Sequence, residues 1–366
     1  MRGGTLQAIV LVGGEGTRLR PLTYGTPKPM IPIMGVPFLE LALRRIKAAG
    51  VEHVILPSYH LPEAITSYFG DGSRIGLRLT YVIEEQPLGT AGAIKNVESY
   101  IEGPFFVFNG DVMTSLDLRA MIAYHEEKRG IGTLHLIHVE DPSSFGAVVH
   151  DDHGRISRFV EKPPKGTSPS NDINAGTYLL ERELLEFIPA GRNVSIERET
   201  FPAVIAGGKK LCAYVTEDYW IDLGRPEHYL DAHRHIFDGA VPLGVPFARG
   251  GVSGPGAAQP PGTLVPPVFV GAGAVVEEGA RVGPYVVLGD GCRVARGAVI
   301  RESLLWDGVV VGADARIEHA IVASGTRIGK NAAIGARTVI GHGVTVADGA
   351  KVPEDSRLVP ESVPTA

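Results

Sequence analysis

The chain has 366 residues, 44% of them hydrophobic and 21% charged, with a formal net charge of −6. That length is enough for two domains with separate cores, and the balance is that of a globular protein. A negative chain argues against nucleic acid as a partner, so nucleotide contact is expected in a pocket and not on a basic face. The two cysteines, Cys212 and Cys292, offer neither a disulfide framework nor metal-ligand spacing, and read as buried thiols in a reducing compartment. Arg2 leads straight into a strand-like run without a signal-peptide core, and no apolar run reaches membrane length. A cytoplasmic protein with no membrane partner is expected.

In chain order, Ala8 to Val12 form a short apolar run ending in glycines, the pattern of a buried parallel strand. Residues 37–49 read as a helix, with Pro37 in its first turn, Leu39, Leu43 and Ile46 on one face, and Gly50 past its end. Residues 53–56, 77–83 and 105–108 read as further strands, and 118–128 as a second helix. This alternation predicts an α/β, Rossmann-like domain over residues 1–237, with a mostly parallel sheet and ligands at the carboxyl ends of its strands. Residues 238–267, rich in Pro and Gly, read as a linker.

The remainder is periodic. Val270, Val276, Val282, Leu288, Val294 and Ile300 stand six apart. The phase slips by one to Leu305, Val311 and Ile317, then again to Val322, Ile328, Ile334, Ile340, Val346 and Val352. Glycine often follows the aliphatic residue. A six-residue period with turn-forming glycine predicts a parallel β-helix of about five three-sided coils over 268–353, followed by a tail, 354–366. Trp306, beside the first slip, is expected to fill a corner.

The segment with the most chemical content is Leu11-Val12-Gly13-Gly14-Glu15-Gly16-Thr17-Arg18. Glycines let backbone N–H groups approach an anion, and Arg18 adds a forked cation suited to phosphate. The spacing is neither that of a P-loop nor that of a dinucleotide fingerprint, which would need glycine where Leu19 stands. On the glycines alone, a structural turn serves equally well. Lys28, held between Pro27 and Pro29, reads as a positioned lysine.

Gly13 to Leu19 with Pro27-Lys28-Pro29 resembles the signature of the sugar-1-phosphate nucleotidyltransferases. The resemblance continues through Glu84-Glu85-Gln86-Pro87-Leu88-Gly89, Asn109-Gly110-Asp111, Phe145-Gly146, Val160-Glu161-Lys162-Pro163, Asn174-Ala175-Gly176 and Trp220-Ile221-Asp222. With the hexad repeat it covers nearly the whole chain. It is strongest to the mannose-1-phosphate guanylyltransferases that carry a C-terminal left-handed β-helix.

The chemistry of such a transfer fits these residue types. A sugar 1-phosphate, with a second pKa of about 6, is already an anionic nucleophile and needs no general base. The obstacle is an anion attacking a polyanion, so cations and a carboxylate-held Mg2+ are wanted instead of a Ser/His/Asp triad. The resemblance implies that Arg18 and Lys28 bind the triphosphate. It gives Lys162 to the sugar phosphate, and Gly146, Glu161 and Asn174 to the sugar pocket. Leu11, Gly13, Gly14, Gly16, Thr17, Glu84, Gly89, Asn109 and Gly110 would form the nucleotide site. Asp111 and Asp222 would hold Mg2+, although each taken alone reads more often as a turn or capping residue. Glu197 and Glu199 would either face the sugar or cap a helix.

Glu84 bears on the base. Thymidylyl-transferring relatives carry glutamine there, whereas an acceptor-only carboxylate suits the paired N1–H and N2–H2 donors of guanine. GTP is therefore expected, and mannose 1-phosphate as its partner is what the resemblance alone implies. Transfer of a thymidylyl or uridylyl group to glucose 1-phosphate or a sugar-like cyclitol phosphate remains an alternative, as does a non-catalytic regulatory paralogue. His319 and His342 could be bases in an acyltransferase, but the coils show no long excursion that would build a second site. The β-helix is expected to join a homo-oligomer.

Overall fold

A computed structural model describes residues 6–59, 63–241 and 261–360. Most of the expected linker, residues 242–260, and the end of the expected tail, residues 361–366, lie outside the described residues. The chain divides into two compact units, Met1–Gly14 with Ala42–Trp220, and Glu15–Leu41 with Ile221–Ala366.

The elements through the first two-thirds of the chain are β1 (Gln7–Leu11), β2 (Pro32–Ile33), β3 (Val36–Pro37), α1 (Phe38–Ala48), β4 (His53–Ser58), α2 (Glu63–Phe69) and β5 (Arg78–Ile83). They continue with α3 (Gly89–Asn96), β6 (Phe105–Asn109), β7 (Val112–Thr114), α4 (Leu118–Lys128), β8 (Gly132–His138), β9 (Gly146–His150) and β10 (Ile156–Glu161). The series ends with β11 (Asp172–Leu180), α5 (Phe201–Ala206), β12 (Leu211–Thr216), β13 (Trp220–Asp222) and α6 (Pro226–Phe237).

The first unit is built on the mixed, mostly parallel α/β sheet that the alternation predicts. Its path runs β10-β9-β11-β6-β1-β4-β5, and β8 joins β11 to β12. Strands β6, β1, β4 and β5 are parallel neighbours, which is why Ile9, Ile55 and Phe105, buried from both faces, read as continuous apolar runs. Strand β11 runs antiparallel to β6 and carries the Asn174-Ala175-Gly176 motif. Its register with β8 shifts between Asn174 and Tyr178, so the motif is a bulge, with Gly176 at φ 76°.

Pro37 is not inside the first helix. It closes the β2–β3 hairpin opposite Pro32, and α1 begins at Phe38. The two turn residues, Met34 and Gly35, both have positive φ, the type I′ geometry that a two-residue hairpin favours.

Among its described residues the second unit contains three stacks of short parallel strands, six, six and five in number. One stack starts at Thr263–Leu264 and another ends at Arg357–Leu358. Each strand pairs with the one a full coil later, the arrangement of a β-helix. The phase slips have a simple cause. Arg281 pairs with Val299, eighteen residues on, but Val299 pairs with Arg316, only seventeen on. The corner after Ile300 turns through Arg301 and Glu302, one residue fewer than the corner after Val282. Glu302, and His319 one coil later, make these tight turns at φ 45° and 48°. Small buried residues, Ser303 and Ala320, follow them. The inward column of Val282, Ile300, Ile317 and Ile334 then continues without a break.

Trp306 does not fill a corner of this interior. It lies outside the coil core, 4% exposed, edge-on to Tyr229 of α6 and to His342. Replacing the inward Ile317, 1% exposed, with Ala should lower unfolding free energy by about 2–5 kcal/mol. Denaturant unfolding measures this, and a loss below about 1 kcal/mol would contradict a close-packed coil interior.

Candidate active site

In the first unit, the carboxyl ends of parallel strands β1 and β6 meet. Leu11 is opposite Asn109, and the Gly110 N–H donates to the Leu11 carbonyl at 3.1 Å. A Cβ on Gly110 would collide with that carbonyl oxygen, so this approach requires glycine. Gly13 lies against Ser58 and Tyr59, whereas the Cβ direction of Gly14 is open. The Asn109 side chain packs under Gly176, and its Oδ1 is a buried acceptor without a hydrogen-bond donor among the described residues. Such an acceptor costs about 1–3 kcal/mol unless something else satisfies it. Asp111 stands between β6 and β7 and is partly exposed.

Glu84 follows β5 and is buried. Its Oε2 accepts the Leu88 N–H at 3.2 Å, closing the loop that leads into α3. Burial raises its carboxyl pKa, and the Leu88 hydrogen bond partly opposes the rise. Gly89 has φ 69° and makes room for Asn193 and the Val194 carbonyl, to which the Ala91 N–H donates at 2.9 Å.

The residues expected around a sugar phosphate converge on β9, β10 and β11. Gly146 pairs with Glu161, and a Cβ there would come within 2.8 Å of Glu161 Oε2. Lys162 adopts φ 48°, fixed by its N–H to the Phe145 carbonyl, and its Nζ lies 3.4 Å from Glu161 Oε1. Asn174 Oδ1 accepts the Gly176 N–H, and its Nδ2 donates to the Tyr178 hydroxyl at 2.7 Å. That hydroxyl in turn donates to Glu197 Oε1, while Glu197 Oε2 accepts from Thr90 and Ser195. Glu197 is thus tied to Asn174 through one tyrosine, whereas Glu199 accepts the Ser195 N–H as a cap. Tyr178 is the residue that sequence reasoning missed. Its spacing of four from Asn174 looks like ordinary strand periodicity, and only the bulge turns both polar groups toward each other.

The second unit holds the cations of the glycine loop. Gly16 is left-handed at φ 64°, and a Cβ there would press on Thr23 and Lys28. Thr17–Leu19 and Lys28–Met30 are 3-10 turns, so Arg18 and Lys28 each sit at a tight bend. Arg18 Nη2 lies 3.7 Å from Asp222 Oδ2, and Gly224 leaves the space in which they meet. Among the described residues no three His, Cys, Asp or Glu side chains form a metal-binding group.

The family described as nucleotidyl transferase matches residues 7–239. The chain belongs to the nucleotidyl transferase family. A second match, described as the GMPPB C-terminal domain, covers residues 264–362 of this nucleotidyl transferase. It is similar to a mannose-1-phosphate guanylyltransferase of Mycobacterium tuberculosis, at 44% identity over 81% of this chain and 83% of that one. It is also similar to mannose-1-phosphate guanylyltransferase 1 of Arabidopsis thaliana, at 34% identity over 94% and 93%. Among solved structures, HddC from Yersinia pseudotuberculosis complexed with GMP-PN is 32% identical with a TM-score of 0.54, covering 63% of this chain and 99% of that one. No helix among the described residues is long and apolar enough to cross a membrane.

Buried Glu84 gives this nucleotidyl transferase a pH signature. Its folded pKa lies above the unfolded value, so the folded state binds the proton more tightly and loses stability as pH rises through the window above about 4.5. A Glu84→Gln variant keeps an acceptor for Leu88 and lacks this penalty. Its stability relative to the parent should therefore rise from pH 4 to pH 7, as thermal melts across pH will show. A flat difference would mean that Glu84 is not desolvated.

Proposed function

We propose that this nucleotidyl transferase is a mannose-1-phosphate guanylyltransferase. It transfers GMP from GTP to mannose 1-phosphate, giving GDP-mannose and pyrophosphate. The observation that carries this reading is likeness along both halves of the chain to two proteins of that name. Retention of Arg18, Lys28, Asp111, Lys162 and Asp222 supports an active enzyme over a regulatory paralogue.

In this reading a phosphate oxygen of mannose 1-phosphate attacks the α-phosphorus of GTP. The new P–O bond forms as the bond to the β-phosphate breaks, and pyrophosphate leaves with the electron pair. The task of the protein is alignment and charge neutralisation. Arg18 and Lys28 neutralise the triphosphate and the departing pyrophosphate, with Leu11, Gly13, Gly14, Gly16 and Thr17 presenting backbone to it. Lys162, held at its positive φ, orients the attacking phosphate. Glu161 and Asn174 take sugar hydroxyls, and Gly146 gives Glu161 its place. Glu84 meets the guanine edge, with Gly89, Asn109 and Gly110 shaping the nucleoside site. The orphan acceptor Oδ1 of Asn109 supports a ligand donor there.

Asp111 and Asp222 are the proposed Mg2+ carboxylates. Hard oxygen donors suit this ion, which uses one or two carboxylates plus phosphates and water in place of an all-protein cage. Arg18 Nη2 stands 3.7 Å from Asp222 Oδ2, and an ionised carboxylate offers about four lone pairs. When bound, Mg2+ would supply charge neutralisation to the phosphates.

The β-helix is the proposed self-association surface, since its first and last coils carry strand edges paired on one side only among the described residues. A cytoplasmic location accords with this metabolic role.

A matrix of GTP, dTTP, UTP, ATP and CTP against mannose and glucose 1-phosphates, read by pyrophosphate release with Mg2+, tests the proposal. GTP with mannose 1-phosphate should lead. Equal use of dTTP or UTP would remove the role given to Glu84, and no release from any pair would establish the regulatory paralogue. Glu84→Gln should lower kcat/KM for GTP by roughly 10- to 150-fold, the loss of a charge-assisted hydrogen bond. Lys162→Met should lower kcat by about 100-fold or more, as loss of a transition-state donor does.

A further inference from the structure

Arg18 and Lys28 ride on a segment with no ladder of its own, and within the second unit that segment is held by the C-terminal half. His342, in the last coils of the β-helix, directs Nε2 at the Leu22 carbonyl at 3.0 Å, so the ring donates there. Thr26 Oγ1 lies 3.3 Å from the same nitrogen. A Cβ on Gly25 would stand 2.6 Å from His342 Cδ2, so only glycine lets the ring approach. Burial lowers the pKa of His342, which keeps the ring neutral near neutral pH.

The grip extends in both directions along the loop. Toward Arg18, the Thr23 hydroxyl donates to the Gly16 carbonyl at 2.9 Å and ties the held stretch to the turn that carries the arginine. Beyond Lys28, the Tyr229 hydroxyl donates to the Pro32 carbonyl, and His233 Nε2 accepts the Met34 N–H at 3.3 Å. Trp306 connects the two clamps, with ring centroids 5.4 Å from His342 and 6.3 Å from Tyr229. Lys28 lies between the clamps in sequence, and Lys28 Cβ packs on the Gly16 turn.

We propose that His342 is a positioning residue for nucleotidyl transfer, through which the β-helix fixes the loop that presents Arg18 and Lys28 to the triphosphate. The inference rests on the reading of those two cations given under Proposed function. It assigns the β-helix a part in turnover besides assembly. His342 touches no substrate in this account and acts only through Leu22 and Thr26.

The test compares the full chain with His342→Ala, His342→Gln, Gly25→Ala and the double variant, using the best triphosphate and sugar phosphate found for the parent protein. Initial rates are read with each substrate varied, and triphosphate binding with Mg2+ is read by calorimetry. His342→Ala should lower kcat/KM for the triphosphate by about 10- to 100-fold, the scale of a small misplacement, and leave the sugar-phosphate KM within about twofold. His342→Gln should recover most of the loss, because its amide N–H can still reach the Leu22 carbonyl.

Gly25→Ala should be harmful beside His342 and nearly silent once the ring is gone. Unchanged triphosphate constants in His342→Ala overturn the proposal. So does an equal rise in both KM values with a lowered Tm, or simple additivity in the double variant. If His342→Ala fails to fold, His342→Gln and Gly25→Ala carry the same comparison. Should the parent turn over no pair, the earlier reading of function fails, and calorimetric GTP binding by the variants still decides the role of His342.

Discussion

A backbone made only of three-residue turns cannot hold two cations in place with its own hydrogen bonds. Residues 15–37 contain three such turns and one two-residue hairpin, yet Leu19, Leu22 and Ile33 are fully buried and Ile31 nearly so. Order in this segment is therefore tertiary, and its partners stand about 200 to 320 residues downstream, at Tyr229, His233 and His342. Long-range contacts of this kind convert a glycine-rich stretch from a flexible tether into a fixed platform. The residues proposed for the nucleoside, all within the first unit, use another solution. There, Leu11, Gly110 and Asn109 are fixed by a parallel ladder and by glycine at the one point where two backbones nearly touch.

Polar groups in the first unit follow a common logic. Glu84, Asn174 and Glu161 are each set by a neighbour and keep some hydrogen-bonding capacity in reserve. Glu84 takes the Leu88 N–H with one oxygen, Asn174 bridges Gly176 and Tyr178, and Glu161 lies over the bare backbone of Gly146. Preorganisation of this sort lowers the reorganisation needed when charge moves in a transition state. It also separates the roles of two neighbouring glutamates, since Glu197 enters the Tyr178 network while Glu199 caps a turn.

Much of this was legible in the sequence. Short aliphatic runs bounded by turn residues, the helix at Leu118–Lys128 and the six-residue repeat could each be read from local pattern. The two phase slips were visible as well, but their cause was not, because a shortened corner at Glu302 depends on register with the coils on either side. Trp306 and Pro37 misled for the same reason. Local pattern placed one in a corner and the other in a helix, whereas long-range partners put the tryptophan against α6 and the proline in a hairpin. The glycine motifs announced a site, yet His342 carried no motif at all. The sequence offered it only as a possible base for acyl transfer, whereas its partner in the structure is a carbonyl 320 residues away.

The split of the chain into units bears on how such proteins can be taken apart and recombined. Family matches meet between residues 239 and 264, which invites the view that the β-helix is a detachable module. The physical seam runs elsewhere, since Glu15–Leu41 is grouped with Ile221–Ala366. A chimera that exchanges only the C-terminal repeat would inherit a loop fitted to a different histidine, whereas grafting residues 15–41 together with the repeat moves a matched pair. Heredity in this architecture therefore travels in two pieces of sequence that behave as one piece of matter.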